Sequence, residues 1–266
     1  MKHVFRAHGF IRNTLLAILA GLAMHGCGGG GGSSTPPNAD PTGYYSNDGT
    51  ALVKQADNTT DLSITDMQAL VHDNRIMMMS STEALLYDIA ITSISGNSFS
   101  GTAAIFIDGQ NSGAATVSGA ITQGSSITGT LTGVGAGNGT FSLIYATSNN
   151  EVAELPRLEG SDWTSPVGGS LTDILMIADD AGNVSNLSVV SSGVFSSCGV
   201  TAELLTIPNT NMYTMNLFGV FFCADADVDA WYTGLATTRS QTTEDDRLVL
   251  MFVHADKTFA FYGELE

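Results

Sequence analysis

Lysine is nearly absent from most of this 266-residue chain: beyond residue 26 only Lys54 and Lys257 occur. Histidine is as scarce, with only His72 and His254 beyond that point, and the three cysteines are Cys27, Cys198 and Cys223. No Gly-x-Ser-x-Gly elbow, His-Glu-x-x-His or Cys-x-x-Cys is present, which excludes the common serine-hydrolase, zinc-protease and thiol-redox signatures. The longest apolar run, Thr14 to Met24, falls short of the ~20 residues a membrane-spanning helix needs. Helical periodicity is hard to find. "GVGAGNG", Gly133 to Gly139, lacks the lysine and the following helix of a phosphate loop, so it reads as a glycine-rich hairpin.

What is present begins with a basic leader. Lys2, Arg6 and Arg12 precede the apolar run, and no acid occurs before Asp40. Charge, length and position match the n- and h-regions of a secretory signal. The run ends in "MHGC", Met24 to Cys27, and is followed by Gly28 to Gly32, Ser33, Ser34 and Thr35. This resembles the lipobox of bacterial lipoproteins: Gly26 takes the small position, Met24 stands where Leu is usual, and His25 is an unusual middle residue. The resemblance implies residues 1–26 as a signal peptide and acylation of Cys27, the new first residue, with the fatty chains as the link to the membrane. Gly28, where Asp would favour the inner membrane in enterobacterial lipoproteins, points to the outer one. Residues 27–41 then form a flexible tether; about 14 such residues span roughly 20 Å.

Removing residues 1–26, which carry three bases and no acid, takes the net charge from −17 to −20. Such a surface repels phosphate backbones, so nucleic acid is not an expected partner; basic partners or cations are electrostatically favoured. From Gly43 to Thr147, eight short alternating segments separated by turn formers predict eight antiparallel strands. Asp73-Asn74 is one such turn, able to hold both central residues at positive φ. "EVAELPRLEG", residues 151–160, reads as a linker. A second set of about eight strands follows from "DWTS" at 162–165 to the C-terminus. The fold class expected is therefore all-β: two consecutive antiparallel meanders, 42–150 and 161–266, as small eight-stranded barrels, with a pair of sandwiches as the nearest alternative.

Cys198 and Cys223 test the second meander. A turn centred on Thr210 and Asn211 pairs residues whose numbers total 421, which sets the two cysteines directly opposite each other, at a separation a disulfide tolerates. An exported compartment permits that structural bond. Asp225, Asp227 and Asp229 alternate like the start of a calcium loop, but Ala230 and Ala236 stand where the EF-hand needs Gly and Glu; they are a weak metal candidate only. His72 and His254 flank turns and read as solvated. In "RIMMMS", Met77 and Met79 share one strand face and Met78 takes the other, as core filler. Tyr44, Tyr45, Trp163, Trp231 and Tyr232 sit near strand starts and read mostly as barrel plugs.

In design the chain resembles surface lipoproteins that carry barrels on a flexible tether, such as the transferrin-binding and factor H-binding types; none of their partners is carried over. These readings predict a non-catalytic binding or interaction module of the envelope, engaging an envelope or host protein and needing no cofactor. The alternative is a carrier of a small hydrophobic ligand inside a barrel.

Overall fold

In the computed structural model the described residues are 37–147, 166–169, 171–178, 183–191, 195–221, 231–241 and 245–265, and side-chain surroundings are described for 37–147, 203–216, 231–239 and 247–265. The regular elements are strands, with one short 3₁₀ turn at Gly135–Gly137. The first eight strands are β1 (Gly43–Lys54), β2 (Asp61–His72), β3 (Arg75–Ser80), β4 (Leu85–Ser95), β5 (Ser98–Ile107), β6 (Gln110–Thr122), β7 (Ser126–Gly133) and β8 (Gly139–Tyr145). They pair in chain order, and β8 returns to β1 to close a barrel. Each strand lies within a few residues of its expectation. Asp73 (φ 49°) and Asn74 (φ 60°) form the tight turn between β2 and β3, with the twist that matches two paired strands.

The barrel interior is filled. Tyr45, Met67, Val71, Met78, Tyr87, Ile105, Ile127 and Leu143 are among its buried side chains. One row across β5 to β8 runs Phe99, Gly119, Gly129, Phe141. A Cβ on Gly119 would stand 2.5 Å from the Phe99 ring, and one on Gly129 2.4 Å from the Phe141 ring. Two glycines thus make room for two inward phenylalanines. "GVGAGNG" ends β7, makes the 3₁₀ turn and opens β8, and the Ala136 carbonyl accepts a 2.8 Å hydrogen bond from the Tyr87 hydroxyl. That contact seals one end of the barrel.

The second set comprises β9 (Pro166–Gly169), β10 (Leu171–Ala178), β11 (Asn183–Ser191), β12 (Phe195–Thr206), β13 (Met212–Phe221), β14 (Tyr232–Gln241), β15 (Asp245–His254) and β16 (Ala260–Leu265). They form one antiparallel sheet, running from β10 in chain order to β16, with β9 beyond β16. Among the described residues no ladder joins β9 to β10, so this is a sheet with two edges. "DWTS" and the linker at 151–160 lie outside the described residues, and the first described strand of the set is β9.

The barrel and the sheet belong to one compact unit, Pro36–Glu266. A second hydrophobic core lies between them. Leu70, Met77, Met79, Leu86 and Phe106 on the barrel exterior pack with Met212, Val249, Met251 and Tyr262 of the sheet. β3 is therefore buried on both faces, which is why it reads as an unbroken apolar run. Met78 points into the barrel while Met77 and Met79 point at the sheet. Backbone also crosses the junction: Gln110 bridges to Phe259, and the Ala260 amide donates to the Gly109 carbonyl at 2.8 Å.

Candidate functional site

The expected cysteine register is corrected. Pro208 to Asn211, with Asn209 at φ 60°, make the β12–β13 turn, which is centred on Asn209 and Thr210, one residue earlier than expected. Proline presets one turn position and asparagine tolerates the left-handed one. Paired numbers then total 419 from Thr206↔Tyr213 to Thr201↔Phe218, and 420 at Val200↔Val220 and Gly199↔Phe221 after a register shift. Cys223 itself lies outside the described residues, as do Cys27 and the Asp225, Asp227 and Asp229 series. Among the described residues no group of three or more His, Cys, Asp or Glu is placed to hold a metal.

His254 is the second correction. It ends β15 beside the turn, as expected, but it is 8% exposed. Tyr232, from another strand, covers it edge-on at 4.9 Å, which the local sequence around His254 could not reveal. Tyr232 is buried while Trp231 is 60% exposed, so one aromatic neighbour is core and the other surface. Tyr44 and Tyr45 are both fully buried, Tyr45 inside the barrel and Tyr44 in the junction core.

Charge is concentrated at the barrel–sheet junction. Glu264, 4% exposed, accepts from Arg239 at 2.9 Å and Arg247 at 3.1 Å, and from the Gln68 amide. Gln68 in turn accepts from the Tyr44 hydroxyl at 3.1 Å; burial raises the Tyr44 phenol well above its ordinary range. A few residues away, Asp88 takes Arg75 Nε at 2.6 Å and Lys257 Nζ at 3.4 Å. Four of the six bases beyond residue 26 are thus committed to this junction.

The opposite side of the barrel carries almost no charge. Between residues 98 and 147 Asp108 is the only charged residue. Most outward positions of β5 to β8, with Thr50 of β1, align in rows of small and mainly hydroxyl-bearing side chains, and exposed Leu52 and Ile144 lie at their edge. One row is Thr102, Thr116, Thr132; the next is Ser100, Ser118, Thr130, Thr140; a third is Ala120, Thr128, Ser142, Thr50. Nine of these eleven side chains are exposed, and Ser100 and Ser142 are half-buried. The spacing is that of the sheet itself, about 4.8 Å between strands and about 6.7 Å along one. Alternation forces the pattern: the intervening residues Ala115, Val117, Ile127, Leu131 and Phe141 fill the barrel. A 50-residue stretch with one charge, in a chain with 26 acids, is the sequence signal that marks this wall.

Near the sealed end lies an open cleft of about 370 Å³, lined by Leu62, Leu85, Ile107 and Val134 together with Lys54 and Glu83. It sits outside the packed interior. No family description, no curated protein and no solved structure matches this chain.

Proposed function

We propose that this protein is a lipid-anchored binding module of the cell envelope, held at the outer membrane by acylated Cys27 on the 27–41 tether, and that it works by contact through the uncharged wall of β5 to β8. The occupant we assign to that wall is a neutral polysaccharide. The observation that carries the reading is the wall: rows of outward hydroxyls with no charge among them, on a body of net charge −20 after residue 26. A charged partner meets no complementary group there, whereas a polyol finds donors and acceptors at every second position. The acidic remainder of the body turns anionic polymers away.

The packed interior of the barrel supports contact over the carrying of a hydrophobic ligand. The proposal keeps a second small barrel. β9 and β10, the two edges of the second sheet, are joined through Ser170 alone, which holds Gly169 and Leu171 within about 7 Å of each other. It also keeps a structural Cys198–Cys223 disulfide.

The test is retention of the full-length chain, in a detergent without a sugar headgroup, on amylose and on cross-linked dextran. The proposal expects retention on at least one of them. It expects the double substitution Thr116→Asp, Thr130→Asp to weaken binding by about tenfold or more, as for a surface that must desolvate two carboxylates. No retention on either matrix, or equal retention of the variant, overturns it.

A further inference from the structure

A second place on the molecule gathers polar groups that the wall does not use. The turn from β15 to β16 folds against the β2–β3 turn of the barrel and leaves a cleft of about 390 Å³, lined by Arg75, Asp88, Thr233, His254 and Lys257, with Asp73 and Asn74 at the lip. The cleft is built on fixed elements. Asn111 Nδ2 donates to the Lys257 carbonyl at 2.6 Å, tying the turn to the barrel. Asp256 accepts from the Thr258 amide at 2.9 Å and from its hydroxyl at 2.6 Å, which locks the turn itself.

Three nitrogen groups in the cleft keep bonding capacity. Arg75 donates through Nε to Asp88 and through Nη1 to Thr233 Oγ1 at 3.2 Å, and its Nη2 makes no bond among the described residues. Lys257 Nζ has one ionic contact, at 3.4 Å, out of three donors. The lining carries two cations, Arg75 and Lys257, and two carboxylates, Asp88 and Asp73, so what the cleft offers an anion is the spare donor capacity of the two cations and not an excess of positive charge. His254 is different. Its Nδ1 meets the Asp256 carboxylate; in the neutral ring such a bond holds the proton on Nδ1 and leaves a lone pair on Nε2, which can then accept.

We propose that this cleft binds a small anion that also bears a hydroxyl group, a sugar phosphate or a sugar carboxylate. The anionic oxygens accept from Arg75 Nη2 and Lys257 Nζ, and a ligand hydroxyl donates to His254 Nε2. The pairing of two donors with one acceptor separates this ligand class from a simple anion and from a neutral sugar. The site is independent of the wall and stands or falls separately from it.

Titration calorimetry on the full-length chain, in detergent without a sugar headgroup, tests this with glucose 1-phosphate, glucuronate and glucose. The expected result is saturable binding of one or both anionic sugars and none of glucose; which anion binds tells phosphate from carboxylate. Lys257→Gln and His254→Gln are each expected to weaken it by about tenfold, the size of one charge-assisted or buried hydrogen bond. Thermal melting confirms that both variants fold; Lys257, with its side chain 47% exposed, has little packing to lose. Binding of neither anion, equal binding of glucose, or full affinity in both folded variants overturns the assignment.

Discussion

At the scale of single residues, the junction and the turns make the sharpest predictions. Glu264 is the buried acid on which Arg239 and Arg247 converge. Glu264→Gln keeps the shape and removes the buried negative charge on which the two guanidinium groups converge. It is expected to cost about 3–5 kcal/mol in denaturant unfolding; a loss below 1 kcal/mol would show the network to be dispensable. Gly129→Ala sets a methyl against the Phe141 ring and is expected to cost about 1–3 kcal/mol by overpacking. Asp256 titrates low, at about 2, because the Thr258 hydroxyl and amide bond its carboxylate, with His254 adding to the effect against a small opposing burial. An unfolded Asp titrates near 3.9. The turn is therefore supported above about pH 4 and loses that support as pH falls through about 2. Carbon NMR of the Asp256 carboxyl should show this low midpoint, together with slow exchange of the Thr258 amide down to it; a midpoint near 4 contradicts it. Against His254, burial lifts the Tyr232 phenol to about 12, with the Asp256 charge contributing, so Tyr232 stays neutral throughout the titration.

At the scale of elements, the sequence was legible wherever a strand answers only to its neighbours. Asp73-Asn74 announces its turn by residue type, and Met77, Met78 and Met79 announce alternate faces by parity. Nothing local told which face of β3 meets a second layer, because Met251 and Tyr262, which cover it, lie more than 170 residues away. His254 fails for the same reason: the residue that buries it, Tyr232, is on another strand. The β12–β13 register failed differently. Pro208, Asn209, Thr210 and Asn211 are all turn formers, and moving the turn centre by one residue within them changes the paired total by two. The ladder also shifts once more at Val200, a local irregularity that alternation alone does not encode. The hydroxyl wall was legible in principle, since its signal is one charged residue in fifty, yet strand-by-strand alternation hides a regularity that runs across strands.

At the scale of the whole molecule, barrel and sheet share a core, so they are expected to behave as one body. Residues 42–150 expressed alone would expose Leu70, Met77, Met79, Leu86 and Phe106, an apolar patch that drives self-association. Size-exclusion chromatography and dye binding should show an associating, dye-binding species, where the full-length chain in detergent binds little dye; a monomeric, dye-silent fragment would show that the shared core is not needed. The same architecture assigns charge by side. The bases are drawn into the junction, acids dominate the exposed remainder, and the wall of β5 to β8 is left neutral. The most direct test of that central claim is hydrogen exchange on the full-length chain with and without a saturating neutral polysaccharide. Protection confined to residues 98–142 and the end of β1 is the predicted result. Protection elsewhere with none on these strands, or no protection at all, contradicts it.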